Sequence, residues 1–335
     1  MEDAALLGAY LLYYWPVSYT QVSLAMALSR LSPRRVLDLG SGPAPVAAAL
    51  FDSLGSGEAS ERIVLADCSG KALALGAAIL DRGSPRPGSV ECVELDLMSA
   101  LSLPQGPFDL IAFGHCLNEL GGRSLSGSAL LKAKLGLVDA AADRLAPGGV
   151  VLLLEPALLA TSRALIELRD KLLERGWTAL GPCPGSYPCP ALVAGPDRSC
   201  HEEAPWNPPE PVASLAKAAG LDRSSVKLSC FLLAPPGFSA ADRLYPERPA
   251  GLRRVVSDPM LNKAGRLRYI LCGNGALAAV SARADDEAAR ENGFLGLRRG
   301  DALVPRGLES RPGGGLGIVA GSELGINSLA PEVSP

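Results

Sequence analysis

The chain has almost no excess of charge: 32 Lys and Arg stand against 35 Asp and Glu, a net of −3 over 335 residues. That balance neither demands nor excludes nucleic acid as a partner, so local clustering has to decide. Met1-Glu2-Asp3 lacks the positive start of a signal peptide. Residues 4–29 carry no charge, yet Pro16, Ser18, Thr20 and Gln21 interrupt them, which argues against a membrane span. A cytoplasmic protein is therefore expected. The eight cysteines lack the Cys-x-x-Cys pairing of zinc ribbons. Without an export signal they read as thiols or metal ligands, not as a disulfide framework. Regular structure should thin out past Pro182, where glycine and proline are abundant.

What is present first is Val36-Leu37-Asp38-Leu39-Gly40-Ser41-Gly42-Pro43-Ala44-Pro45. An apolar strand enters a glycine turn, and an apolar helix, Val46 to Leu54, leaves it. A parallel sheet presents an anionic or nucleoside ligand in this way at the end of its first strand. Ala44 stands where a third glycine is usual. Ile63–Ala66 reads as a second strand ending in Asp67, a site for ribose hydroxyls. Val90–Leu95 reads as a third, ending at Asp96-Leu97, where a carboxylate can accept from an adenine amino group and an apolar neighbour can cover the ring. Phe108–Phe113 is a fourth strand, followed by Gly114-His115-Cys116-Leu117-Asn118-Glu119-Leu120. Helices are expected over Lys71–Leu80, Leu130–Leu145 and Arg163–Arg175. Pro147-Gly148-Gly149 should turn into a fifth strand, Val150–Leu154. Residues 1–31 read as two helices broken at Trp15-Pro16, with apolar spacing (Val22, Leu24, Ala25, Leu28, Leu31) suited to capping the sheet.

Acidic residues at three successive strand ends and the glycine turn resemble class I S-adenosylmethionine-dependent methyltransferases. The resemblance implies an α/β fold, a Rossmann-like doubly wound sheet. It also implies cofactor contacts from Asp38, Gly40, Ser41, Gly42, Pro43, Asp67, Asp96, Leu97, His115 and Asn118. The Asn/Asp-Pro-Pro-aromatic motif of base-amino methylases is absent. His115 reads as a helix-start residue lining the pocket, with a general base as the alternative, and Cys116 as core. No catalytic residue is assigned.

Beyond the helix comes Pro182-Cys183-Pro184-Gly185-Ser186-Tyr187-Pro188-Cys189-Pro190, and then Ser199-Cys200-His201. Three cysteines within 18 residues occupy a segment with little apolar area to bury, and a metal would offset the cost of ordering it. Each of the first two is followed by proline, as in iron-sulfur loops. A fourth ligand is chosen as Cys272, a strand end beside the hairpin turn Gly273-Asn274-Gly275; Cys230 and His201 remain alternatives, and zinc remains an alternative metal. Arg248, Arg253, Arg254, Lys263, Arg266 and Arg268 face only Asp258, and Arg298-Arg299 follow. These form a candidate RNA-facing patch, without any signature of stacking aromatics.

The order of these features, with Tyr14, Pro16, Tyr19 and Arg298-Arg299-Gly300-Asp301, is similar to a methyltransferase-like family of mitochondrial small-ribosomal-subunit assembly factors and its bacterial relatives. That resemblance, over roughly residues 10–303, implies a 4Fe-4S cluster on Cys183, Cys189, Cys200 and Cys272. It also implies partnership with the small ribosomal subunit and its ribosomal RNA. The outcome is either methyl transfer to that RNA or cofactor binding alone; a small-molecule methyltransferase with a zinc site is the other reading. The expected organisation is a helical cap (1–31), the cofactor-binding core (32–180), a metal-binding insertion (181–211), the end of the core with a basic β-rich module (212–303) and a flexible tail (304–335). No membrane or DNA partner is expected, and a monomer off the ribosome.

Overall fold

The computed structural model describes residues 3–29, 32–53, 61–83, 88–99, 102–122, 125–238, 249–312 and 314–327. Leu31, Leu54, Arg248 and residues 328–335, which figured in the expectations above, lie outside them.

The central apolar runs become a parallel sheet because they can be buried on both faces. In chain order its strands are β1 (Arg35–Leu39), β2 (Arg62–Asp67), β3 (Val90–Glu94), β4 (Phe108–Gly114) and β5 (Leu145–Pro156). They are followed by β6 (Thr178–Gly181), β7 (Glu202–Pro205) and β8 (Ser225–Ala234). The spatial order is β3-β2-β1-β4-β5-β8-β6, with β7 also on β8. β1 to β5 pair in parallel, and β8 lies antiparallel to β5. The chain runs outward from β1 to the edge strand β3 and returns to β4 on the other side, so the order reverses between β1 and β4. Ligands of such sheets sit above the carboxyl ends at that reversal.

Helices cover both faces. α1 (Ala4–Ala9), a π-helical turn (Tyr10–Tyr14) and α2 (Trp15–Ser29) form one unbroken rod. The expected break at Trp15-Pro16 is absent. Pro16 falls in the first turn of α2, directly after the π turn, whose wider winding accommodates the ring and the missing N–H. The α2 residues Val17, Val22, Leu24, Ala25 and Met26 pack with Val36, Leu110, Leu152, Val226 and Leu228. α3 (Pro45–Asp52) and α4 (Gly70–Arg82) follow β1 and β2. α5 (Gly127–Ala142) and α6 (Leu159–Glu174) cover the opposite face, over Leu37, Leu39, Ile111 and Val151. Pro147-Gly148-Gly149 does not precede the fifth strand but lies within it: β5 starts at Leu145, and its pairing with β4 shifts between Phe108 and Leu110.

The segment after β6 holds α7 (Pro190–Ala194), and α8 (Glu210–Ala218) comes between β7 and β8. A second sheet follows: β9 (Arg253–Val255), β10 (Met260–Leu261), β11 (Arg266–Gly273) and β12 (Ala276–Arg283), then α9 (Glu287–Glu291) and β13 (Ala302–Leu303). β14 (Glu309–Ser310), β15 (Leu316–Gly317) and β16 (Ile326–Asn327) complete it. The hairpin between β11 and β12 turns at Asn274 and Gly275, both at positive φ (53° and 71°), as its right-handed twist requires. The expectation of a flexible tail from residue 304 does not hold through Asn327. β15 pairs with β12 and β16 with β13, and Ile318 and Leu324 are buried. Two-residue strands leave no periodicity to read; their pairing comes from the sheet they join.

Candidate functional sites

The glycine turn, the strand ends and the loop after β4 meet in one open cleft of about 670 Å³. Gly40, Gly42, Asp67, Asp96, Leu97, His115 and Asn118 line it. Tyr10 and Tyr14 of the N-terminal rod, Arg223 just before β8 and Lys227 on β8 build its wall. Gly40 is needed at φ +69°, because a Cβ there would run into the Cys116 Cβ. Asp67 already orders the site: its Oδ2 accepts from the Gly42 N–H at 2.8 Å and its Oδ1 from the Ser69 N–H at 2.9 Å. Asp96 accepts from the Met98 N–H and the Ser99 hydroxyl, which fixes its turn.

Three residues expected at the cofactor are not part of that lining: Asp38, Ser41 and Pro43. Asp38 is wholly buried, accepts from the Ala47 N–H at the start of α3, and leaves Oδ1 without a partner. Burial pushes its carboxyl up to about 7, and Asp67 adds to the effect. The Ser41 hydroxyl is also unpartnered, and the Pro43 carbonyl accepts from the Trp15 indole at 3.0 Å.

His115 does not start a helix. It sits in a turn at φ +60°, with both ring nitrogens buried and unpartnered. Burial lowers its pKa to about 4, so it is neutral at pH 7. Cys116 is buried and its thiol donates to the Leu39 carbonyl. Sequence reasoning missed Glu155, which ends the apolar run of β5. It lies under this turn and accepts from the Asn118 N–H at 3.0 Å, and burial raises it to about 7. A carboxylate closing a buried strand was the available signal.

A second, narrow cavity lies where the two sheets meet. Cys183, Cys189, Cys200 and Cys272 all line it, and so do the alternatives Cys230 and His201. Strand register explains the convergence. β6 and β7 share the free edge of β8, with Gly181 opposite Leu232 and Glu202 opposite Leu228. Cys183 follows β6, Cys200 precedes β7, and Cys230 occupies the gap between those pairs. Cys272 arrives from β11, opposite Arg254 of β9. Burial raises Cys189 to about 12 and Cys272 to about 11, so these are protonated thiols unless a metal displaces the proton. Among the described residues no group of three or more His, Cys, Asp or Glu is arranged around a single ion. Zinc needs ligands crowded on one centre. Four cysteines at one cavity supply the kind and number of donor atoms that an iron-sulfur cluster takes.

Arg169, Glu202 and Arg254 also line this cavity, and no sequence signal had pointed to them there. Arg169 donates to the Tyr187 carbonyl at 2.5 Å and the Gly185 carbonyl at 3.0 Å, holding the Cys183–Cys189 loop on α6. Arg254 pairs with Glu202 while almost fully buried. The expected basic patch is correspondingly smaller. Arg254 is inside, and Arg299 is spent on Asp258 and the Val256 carbonyl. Lys263, Arg268 and Arg298 stay exposed.

The model of the family described as mitochondrial small ribosomal subunit Rsm22 matches residues 6–207. This chain belongs to the Rsm22 family. The match takes in the cleft's four strand-end loops and three of the four proposed cysteine ligands, but not Cys272. No curated protein matches. Solved structures similar to it include a candidate RNA methyltransferase from Pyrococcus horikoshii, at 11% identity and TM-score 0.38, covering 65% of this chain and 81% of that one. Another is the ribosomal protein L11 methylase of Lactobacillus delbrueckii, at 12% and 0.36, covering 64% and 77%. The plantazolicin methyltransferase BpumL in complex with SAH stands at 11% and 0.37, covering 66% and 85%. Likenesses this distant say nothing about the chemistry of this Rsm22-family chain.

Proposed function

We propose that this protein binds S-adenosylmethionine in the cleft at the β1/β4 reversal and acts on, or docks to, small-subunit ribosomal RNA during assembly, with a 4Fe-4S cluster on Cys183, Cys189, Cys200 and Cys272. The observation that carries the reading is the cleft of an Rsm22-family chain lined by Gly40, Gly42, Asp67 and Asp96 at successive strand ends. Asp67 and Asp96 offer carboxylates to a nucleoside, the glycines let the backbone approach it, and Leu97 covers a ring. The bound cofactor would supply an electrophilic methyl group; the chain's task is to hold an acceptor in line with it and to exclude water. The wall of Tyr10, Tyr14, Arg223 and Lys227 is where that acceptor would stand.

A second reading, cofactor binding without transfer, is favoured by the loop after β4. Its histidine is neutral and weakly basic, which makes it a poor proton acceptor at pH 7. Calorimetry with S-adenosylmethionine tests the shared part: micromolar binding, weakened at least about tenfold by Asp67→Ala, is expected. Absence of binding by the intact protein would overturn both readings. Labelled methyl transfer to deproteinised and to particle-bound small-subunit RNA separates them. Label in RNA supports the enzyme; tight binding with no label on either substrate supports the docking factor.

A further inference from the structure

The cysteine cavity contains two groups that thiols do not explain. Arg169, on α6, is 1% exposed, and Arg254, on β9, is 4% exposed. Arg169 has both terminal nitrogens engaged, by Asp170, Tyr187 and Gly185, and Arg254 gives its Nη2 to Glu202. In each the Nε–H is buried and has no acceptor. A buried donor on a charged group that finds no partner is costly, and native folds rarely leave one without a reason. Here there are two, one from helix α6 and one from strand β9 of the second sheet, beside the same sulfurs.

Their surroundings narrow the reason. Both arginines line the same cavity as Cys183, Cys189, Cys200, Cys230 and Cys272. Asp170, which balances Arg169, is not part of the lining, so the cationic end of that pair faces the cavity. Glu202 does take part in the lining and balances Arg254 there. A set of protonated thiols offers such donors only weak acceptors. Thiolates and sulfides of a cluster are anionic acceptors, and hydrogen bonds to them are a main determinant of a cluster's potential and persistence.

We infer that Arg169 and Arg254 are positioning residues for an anionic sulfur-ligated cluster, each giving its unpaired Nε–H to a cysteine or inorganic sulfur from opposite sides of the sheet junction. This rests on the cluster reading above and adds to it two cationic donors that set how easily the cluster is reduced and how long it stays. Removing one donor leaves sulfur charge uncompensated, which disfavours the more negative, reduced form and lowers the midpoint potential.

The test uses full-length protein, reconstituted anaerobically with iron and sulfide, as wild type, Arg169→Lys and Arg254→Lys. Lysine keeps the charge and loses the Nε–H. Iron and sulfide content and the visible spectrum are read first, then the midpoint potential by dithionite titration and the rate of iron loss to EDTA. Expected are brown proteins in all three cases, a lower potential in both variants and iron loss roughly tenfold faster. Variants that hold the cluster with unchanged potential and unchanged loss rate overturn the inference and leave the cluster reading intact. A wild-type protein that takes up no iron or sulfide overturns both. Melting of the metal-free proteins separates a scaffold role, which would lower it without moving the potential. Should Arg254→Lys fail to fold, Glu202→Gln with Arg254→Gln keeps a neutral hydrogen-bonded pair and is read in the same way.

Discussion

At the scale of single residues, the cleft's floor is built from carboxyl groups that the fold keeps short of full ionisation. Asp38 and Glu155 are both raised to about 7, in each case first by burial. Glu155 ties the loop after β4 to β5, so its titration reports on the loop that faces the cleft. A carboxyl raised in the folded state binds its proton more tightly there than in the unfolded chain. Its contribution is therefore complete below the unfolded value, near 4.5, and is lost as pH rises through about 7. The ligand-free protein should melt at progressively lower temperature between pH 5 and pH 8. Glu155→Gln keeps an oxygen for the Asn118 N–H and removes the titration, so its melting temperature should be flatter over that range. Equal slopes for the two proteins would show that Glu155 does not titrate where its burial places it. His115 behaves oppositely: burial lowers it from 6.5 to about 4, so the unfolded chain binds a proton there that the folded one refuses, and it offsets part of this slope below about pH 6.5.

At the scale of elements, the turn between β1 and α3 runs without its third glycine because a neighbouring helix makes room. Ala44 adopts φ +59°, a left-handed conformation that costs an alanine about 1–2 kcal/mol. Its methyl group faces Gly76 of α4, where an added Cβ would lie 2.9 Å from the Ala44 Cβ and 3.1 Å from the Pro43 carbonyl carbon. Gly76→Ala should therefore destabilise by about 1–3 kcal/mol despite alanine's better helix propensity. Ala44→Gly should be neutral to stabilising, by up to about 1 kcal/mol. Combined, the two should cost less than Gly76→Ala alone, with a residue of strain from Pro43; strict additivity in chemical denaturation would rule out the contact. Such a pairing was out of reach from sequence, and the limit is general here. Strands β1, β2, β4 and β5 and the turn at Gly40 were legible because each is a short, contiguous signal. Cys183, Cys189 and Cys200 were legible as a group because they crowd a short segment with little else to bury, and Cys272 because it ends a strand beside a hairpin turn. Arg169 and Arg254 were not, since an arginine in an amphipathic helix or a basic strand looks solvated until its partner is known. Glu202 stands 52 positions from Arg254. The π turn at Tyr10–Tyr14 was missed for a related reason: proline alone signals a break, and only the packed rod shows how the winding absorbs it.

At the scale of the whole molecule, two sheets have to hold one geometry across a junction made largely of sulfur and charge. Surface charge and junction charge play separate parts. Lys263→Glu with Arg268→Glu changes exposed residues only; under the proposed docking to RNA, affinity should fall and the slope of log affinity against log salt should shrink by about 1 for each phosphate no longer neutralised. Fluorescence anisotropy over a salt series checks this, and an unchanged slope would place RNA on another face. The junction itself turns on Glu202 of β7 and Arg254 of β9, both nearly inaccessible. Gly300, at φ +94°, lies beside the pair: a Cβ added there would sit 3.4 Å from the Arg254 Nη2 and the Glu202 Oε2. Deleting one partner of a buried pair leaves the other's charge without solvent or counterion, so Glu202→Ala should cost about 3–5 kcal/mol. The loss should be felt at the junction before the core: amide exchange should quicken over β9, β11 and β12 while β1 and β4 stay protected. Replacing both partners by apolar groups, Glu202→Leu with Arg254→Met, removes the desolvation penalty along with the attraction and should recover most of that stability. If Glu202→Ala melts as the wild type does, the pair is not what fastens the second sheet to the first, and the sulfur-lined cavity must do so alone.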